Sequence, residues 1–464
     1  MRIVILGAGR VGESVAESLV SERNDITIVD PDARRLRDLE ERLDLRGLPG
    51  NGIHPSTMER AGIGDADMLI ACATQDETNL VACKIAHEVF GVPTTIARLR
   101  SPEFAEGSKL LERGAFAVDH VICPEESVVR YIQKLIEYPE ALQVVEFAKG
   151  RAQLVAVRVT RGSRLANRTL GEFLQAFPEV PVRVVAIYRQ DAEQACQAAT
   201  RMEVGDEVFL LADERNLRKV LEAVHSTDKP VKRVMIAGGG NVGLRLARRL
   251  RNQVEVKLIE RNATRCEYLA TQLPVDMLVL QGDGTDEELL ADENVSHVDL
   301  FLALTSDDED NILSAMLAKR LGARRVVALI NRRAYADLMQ GSTIDIAFSP
   351  AHTVIGELLA RVRRGDVVAV HSLRRGAAEA LEGVAHGDAK TSRLVGRTVP
   401  EVDAILPDGV RLGAVVRGEG DAQRVLMPSP ETRIESDDHL IIFIPNKRLV
   451  REVERLFQVS ATFF

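Results

Sequence analysis

Tryptophan is absent from the 464 residues, and all aromatics together make up only 4%. An aromatic-lined substrate pocket is therefore not expected. Cysteine is scarce: Cys72, Cys83, Cys123, Cys196 and Cys266 are scattered, odd in number and without C-x-x-C spacing. That pattern excludes a disulfide framework and reads as reduced, mostly buried thiols. The nine histidines show no H-x-x-x-H or other ligand spacing, so no metal site is expected. No apolar run approaches the roughly 20 residues needed to span a bilayer, and no secretory apolar segment follows Met1. The expectation is a cytoplasmic chain. Positive charge is in the minority, with 60 Lys and Arg against 69 Asp and Glu and a formal net charge of −9. With no basic stripe interleaved with aromatics, nucleic acid is not expected as a partner.

What remains is ordinary globular material, 45% apolar and 28% charged, enough for roughly three or four domains. The chain is organised around its start. A strand-like run, Arg2 to Leu6, leads into Gly7-Ala8-Gly9-Arg10-Val11-Gly12, then a helical pattern at Val15, Leu19 and Val20. A second strand stops on Asp30, an acid 23 positions after the first glycine. In a G-x-G-x-x-G turn the first glycine permits the tight bend, the second lets backbone approach a pyrophosphate, and the third lets helix and strand pack closely. The helix N-terminus offers free N–H groups and partial positive charge to phosphates. Asp30 suits the adenine ribose hydroxyls and repels a 2′-phosphate, which favours NAD over NADP. Strands and helices then alternate to Val118–Ile122, predicting a parallel, doubly wound sheet.

The same pattern recurs. Lys232 to Ala237 reads as a strand, followed by Gly238-Gly239-Gly240-Asn241-Val242-Gly243 and a helix, at an offset of 231 from the first glycines. Gly50/Gly282, Gly52/Gly284, Glu77/Glu309, Asn79/Asn311 and Gly91/Gly322 repeat at 231 or 232, and Glu260 retains the acid after a shorter loop. This is an internal duplication. Between and after the copies lie two smaller α+β units, matched at Ser163–Leu170 and Thr391–Thr398, and at the Glu203 and Ile434 hairpins. Amphipathic helical linkers follow Pro124 and Pro350. The expected fold is α/β in four domains: Rossmann-like residues 1–124 and 232–350, each followed by a small α+β domain, residues 142–226 and 367–457.

Taken together, GAGRVG at Gly7, GNG at Gly50, DETN at Asp76, ARLR at Ala97 and SLRRGAAEALE from Ser372 resemble the cytoplasmic nucleotide-binding subunit of the bacterial Trk potassium-uptake system. Such subunits are tandems of regulator-of-potassium-conductance (RCK) modules. The resemblance covers essentially the whole chain. It implies a peripheral protein on the cytoplasmic face of the inner membrane, docked on a membrane-embedded potassium channel or transporter subunit. It further implies a homo-oligomer, dimer or tetramer, that gates the pore in response to NAD(H) or ATP/ADP.

Carried over residue by residue, the resemblance assigns the diphosphate to Gly7, Ala8, Gly9, Arg10 and Val11, with Gly12 closing the fingerprint. Asp30 takes the ribose, Ala73 and Thr74 end a strand at the cleft, and Arg98 supplies a cation, although it also reads as part of a solvated charged face. In the second copy Gly238, Gly239, Gly240, Asn241, Val242 and Gly243 form the turn, Glu260 takes the ribose, and Thr305 and Ser306 end the strand. Alignment sets Leu329 opposite Arg98. The second cleft is therefore expected to bind multiply charged nucleotides less tightly, by about 1.5–3 kcal/mol if the contact is desolvated.

The rival expectation is an NAD-dependent dehydrogenase. It needs a proton-transfer group fixed near the nicotinamide, usually from a separate domain. The small α+β units show no cluster of His, Lys or Tyr that would assemble such a site. Asp307 to Asp310 suit the start of a helix without a metal. Arg374-Arg375-Gly376 reads as a turn, and Phe463-Phe464 as a frayed end.

Overall fold

The computed structural model describes residues 1–20, 24–104, 107–178, 181–190, 192–224, 229–339, 343–362, 366–374 and 377–459. Arg375, Gly376, Phe463 and Phe464 lie outside them. The first Rossmann-like unit runs β1 (Arg2–Leu6), α1 (Arg10–Val20), β2 (Asp25–Asp30), α2 (Ala33–Arg42), β3 (Arg46–Pro49), α3 (Pro55–Arg60), β4 (Met68–Ala71), α4 (Asp76–Phe90), β5 (Thr94–Arg98), β6 (His120–Ile122) and α5 (Pro124–Glu137). Its parallel sheet has the order β3-β2-β1-β4-β5-β6. The order reverses between β1 and β4, and a crevice opens there beyond the strands' carboxyl ends.

A small antiparallel unit follows: β7 (Ala141–Phe147), β8 (Ala152–Arg158), α6 (Leu170–Ala176), β9 (Val182–Arg189), β10 (Ala192–Gln194), β11 (Glu207–Asp213) and α7 (Glu214–Val224). The second half repeats the plan with β12 (Arg233–Ala237), α8 (Asn241–Arg249), β13 (Glu255–Glu260), α9 (Ala263–Gln272), β14 (Leu278–Gln281), α10 (Glu287–Asp292), β15 (Leu300–Ala303), α11 (Asp308–Arg320), β16 (Arg325–Leu329), α12 (Arg333–Leu338), β17 (Ile346–Phe348) and α13 (Pro350–Val362). Its last unit holds β18 (Val367–Leu373), β19 (Ala378–Ala385), α14 (Val399–Asp403), β20 (Arg411–Arg417), β21 (Arg424–Leu426), β22 (Asp438–Ile444) and α15 (Val450–Phe457). The second parallel sheet has the order β14-β13-β12-β15-β16-β17, the same plan as the first.

The helices that the sequence presents as linkers are core elements, and they are exchanged. Proline at the first helical turn and Glu125 and Glu126 beside it start α5. Its apolar face, Val128, Val129, Ile132 and Leu135, packs into the core of the second Rossmann unit with Val234, Ile236 and Leu246. Conversely Val354, Ile355, Leu358 and Leu359 of α13 complete the core of the first unit beside Ile5, Val15 and Ile70. Burial is worth about 1.5–3 kcal/mol gross for each such side chain. Arg130 of α5 meets Glu357 of α13 at 2.5 Å where the helices cross, and Ser127 Oγ donates to the same carboxylate at 3.1 Å.

The two antiparallel sheets also share a core, in which Phe209 and Phe443 lie with ring centroids 6.3 Å apart. At that junction Ala148 N–H donates to Glu382 at 2.9 Å, and the His371 ring lies 2.8 Å from the Glu146 carbonyl. His371, His386 and His439 line one cavity of about 970 Å³ with Lys149 and Tyr131. This corrects the expectation that the small units assemble no cluster of His, Lys or Tyr: the histidines come from β18, the residue after β19 and β22, which only the folded sheet brings together. Glu382, 2.6 Å from the ring, holds His439 protonated above its ordinary 6.5, opposed by partial burial and Lys149 and aided by Asp438. Burial pulls His371 the other way.

Ile132→Ala is expected to cost about 2–5 kcal/mol in denaturant unfolding, because the side chain is fully buried. A loss below about 0.5 kcal/mol would contradict the exchanged packing. His439 is bound to its proton more tightly when folded. Its contribution is therefore complete below about pH 6.5 and fades as pH rises through the raised value. The stability gap between wild type and His439→Gln should shrink correspondingly from pH 6 to pH 9; a constant gap would refute the pairing.

Candidate functional site

Each crevice is built from a glycine turn, a strand-end acid and a buried asparagine. Gly7 adopts φ +100°, and a Cβ there would sit 2.9 Å from the Cys72 carbonyl oxygen. At Gly12 a Cβ would fall 1.9 Å from Gly7 O, so helix and turn touch backbone to backbone. A Cβ on Gly9 or Gly240 would meet nothing within 4 Å, and both residues line a cavity. The turn is thus closed behind and open in front, where a phosphate would sit. No side chain caps the N-terminus of α8, so its first N–H groups stay available.

Asp30 is the last residue of β2 and Glu260 the last of β13, which confirms their equivalence across the shorter loop. Asp30 is buried; its carboxylate accepts from Ala8 N at 2.7 Å and Asp32 N at 2.8 Å. Glu260 repeats both bonds, to Gly239 N at 2.9 Å and Asn262 N at 2.8 Å. These bonds fix each acid against its own turn and leave further carboxylate lone pairs for ribose hydroxyls.

The sequence marked Asn79 as the end of the DETN motif and, with Asn311, as a repeat. The structure gives them a part in holding the crevice. Fully buried Asn79 accepts from Ala73 N at 2.8 Å and donates to Ala73 O at 3.0 Å and Arg98 O at 2.7 Å. Asn311 does the same between Thr305 and Leu329. Each side chain ties together the ends of two neighbouring strands, β4 and β5 or β15 and β16, beside the crevice. One helical turn earlier, Asp76 accepts from Arg100 N and Ser101 N, both at 2.8 Å, and Asp308 from Asn331 N and Arg332 N at 2.9 and 2.8 Å.

The two crevices open into one cavity of about 990 Å³. From the first copy Gly7, Gly9, Arg10, Val11 and Asp30 line it, with Ala73, Thr74 and Arg98 across the mouth. Gly240, Asn241 and Val242 face them from the second copy, with Thr305 and Ser306. Ala8, Gly12, Gly238, Gly239, Gly243 and Glu260 are not among the described lining residues. Arg98 is not a free cation: its guanidinium lies 3.1 Å from Glu125, both side chains largely buried. In the second copy Leu329 and Ala351 take these two positions, as the ends of β16 and the start of α13 require. Pro124 and Pro350, which open the exchanged helices, also line the cavity. Burial pushes the neighbouring Cys72 thiol up to about 12, which leaves it neutral and inert.

Asn79→Leu strips three backbone groups of their partner. With each buried orphan costing about 1–3 kcal/mol, the variant is expected to lose at least about 2 kcal/mol in chemical denaturation. An Asn79→Leu protein as stable as wild type would show that the clamp is dispensable.

Comparison with known proteins places this duplicated architecture. The TrkA-N domain family matches residues 3–124 and 234–350, and the TrkA-C domain family residues 154–225 and 389–458. The chain is 50% identical to the Trk system potassium uptake protein TrkA of Vibrio alginolyticus, over 100% of both chains. It is 48% identical to that of Halomonas elongata and 44% to that of Haemophilus influenzae, again over 100% of each. Among solved structures, the GsuK RCK domain superposes with a TM-score of 0.61 at 17% identity, covering 98% of this chain and 94% of that one. The GsuK channel bound to NAD gives 0.61 at 18% identity, over 98% and 78%. These structures share the fold of tandem RCK modules. On the full-length relatives and the doubled domain pair, the chain belongs to the family of Trk system potassium uptake proteins TrkA.

Proposed function

We propose that this chain is the nucleotide-binding regulatory subunit of a Trk-type potassium-uptake system, gating ion passage through a separate membrane-embedded subunit in response to NAD(H) or ATP/ADP. The observation that carries this reading is the shared cavity, where two glycine turns and the starts of both exchanged helices meet. A nucleotide there touches the two elements that lead into the antiparallel units. The relatives' name, Trk system potassium uptake protein, and the NAD bound by the GsuK channel support the same reading.

In this reading Gly7, Gly9, Arg10 and Val11 cradle phosphates, Asp30 accepts from the adenine ribose, and Ala73 and Thr74 border the ligand. Gly240, Asn241 and Val242, with Glu260, Thr305 and Ser306, form the second crevice. Among the described residues lining the cavity there is no His, Lys or Tyr, the groups a dehydrogenase uses to move a proton. That favours binding over turnover. No helix among the described residues is long and apolar enough to cross a membrane; in this reading the pore belongs to a partner. Docking on the cytoplasmic face of the inner membrane, as a dimer or tetramer, completes the proposal.

Energetics bear on the assembly. Site-to-site coupling is typically about 1–3 kcal/mol, whereas moving a gate from 1:99 to 99:1 takes about 5.5 kcal/mol. Several crevices acting together in an oligomer reach that figure; one does not.

The purified chain is expected to bind NAD(H) and ATP or ADP without oxidising or reducing the dinucleotide. Asp30→Ala is expected to weaken nucleotide binding about tenfold to a hundredfold, the worth of a hydrogen bond to a charged acceptor. Co-reconstituted with a Trk membrane subunit, the chain should make potassium flux nucleotide-dependent. Cofactor turnover, or flux indifferent to every adenine nucleotide, would reject the proposal.

A further inference from the structure

The cavity that joins the two crevices is symmetric in backbone and asymmetric in charge. Arg10 and Asn241 are the first residues of α1 and α8, both exposed to the cavity. Arg98 and Leu329 are the last residues of β5 and β16, each bonded through its carbonyl to the buried asparagine. Arg100 and Asn331 follow two residues later, each with its N–H on the equivalent aspartate. Arg10, Arg98 and Arg100 on one side thus face Asn, Leu and Asn on the other, and all six line the same space, which Arg35 also lines, 3.5 Å from Asp32.

The partners of those arginines sharpen the division. Arg98 is neutralised by Glu125, and Ala351 replaces Glu125 in the second half, so that pair carries no net charge on either side. Arg100 stands 3.8 Å from Asp76. In the second half Asp308 remains and its Oδ1 takes both N–H groups of Asn331, while the arginine stands one place later as Arg332, which pairs with Glu309 at 2.8 Å and is not among the described lining residues. Arg10 has no cationic counterpart at Asn241. Among the described lining residues the first side carries Arg10, Arg35, Arg98 and Arg100 against Asp30 and Glu125, and the second side carries no charged side chain, so the first crevice is more positive by about two charges. A phosphate seated at either helix N-terminus projects into the common space, so two polyanions face one another there, and like charges at short range are screened only in part.

Resting on the regulatory reading above, we propose that the cavity is a compound site for two different adenine nucleotides. The first crevice takes a polyphosphate, ADP or ATP. The second takes a dinucleotide of low net charge, NAD⁺. Simultaneous occupancy by two polyphosphates is disfavoured, so each chain reports a pair of ligand concentrations and not one.

The test is calorimetric titration of the full-length chain with ATP and with NAD⁺, in EDTA so that only the nucleotide carries the ligand's charge. Wild type should bind one ATP per chain tightly. Glu260→Gln should leave ATP affinity within about twofold and weaken NAD⁺ about tenfold, and Asp30→Asn should weaken ATP at least about tenfold, as expected for a charge-assisted bond. Arg10→Asn with Arg100→Asn should weaken ATP by about tenfold or more, two charge-assisted contacts being lost. Asn241→Arg with Asn331→Arg should create a second tight ATP site. Two equivalent ATP sites in wild type, or Glu260→Gln weakening ATP as much as Asp30→Asn, would overturn the division of labour. Failure of wild type to bind either nucleotide would instead remove the regulatory reading itself.

Discussion

The structure depends on the exchange of two amphipathic helices between its halves. An amphipathic helix must bury its apolar stripe somewhere. Here α5 leaves the first Rossmann unit and buries Val128, Val129, Ile132 and Leu135 in the second, while α13 returns the favour with Val354, Ile355, Leu358 and Leu359. Neither Rossmann core is complete without a helix that belongs to the other half. The halves are one cooperative body by construction, and each helix start stands at the edge of the common cavity. Binding at a glycine turn is thereby adjacent to the elements that hold the halves together.

Much of this was legible in the residues. The glycine turns, the acids at Asp30 and Glu260 and the duplication follow from local geometry, and a strand–turn–helix with an acid on the next strand leaves little freedom. The equivalence of Arg98 and Leu329 was readable too, because the register from Gly91 and Gly322 carries through to the ends of β5 and β16. What local pattern cannot encode is which surface an amphipathic helix will meet. The stretches after Pro124 and Pro350 read as linkers, and their destination depends on contacts across more than two hundred residues, as the Arg130–Glu357 pair shows. The neutralisation of Arg98 by Glu125 was hidden for a related reason: an arginine at a strand end looks the same in sequence whether it faces solvent or a carboxylate. Asn79 and Asn311 were visible as repeats, but the three backbone bonds each one makes require the strand ends to be in place.

These features suit the regulatory role proposed above. The crevices present backbone, carboxylates and guanidinium groups, the chemistry that ribose and phosphate call for. The duplication places two such crevices against one space, and the loss of Arg10 and Arg100 from the second copy makes them unequal. A ligand shifts a conformational equilibrium only by its differential affinity for two states. The exchanged helices supply the element on which that difference can act, since their first residues border the cavity and their last lead to the shared core of the antiparallel sheets.

The most direct measurement is hydrogen–deuterium exchange of the full-length chain, free and saturated with nucleotide. If the crevices act through the exchanged helices, backbone protection changes in both α5 and α13 and at the junction of β7 and β18, alongside the glycine turns. Protection confined to the turns and the ends of β2 and β13, with α5 and α13 unchanged, would contradict that coupling.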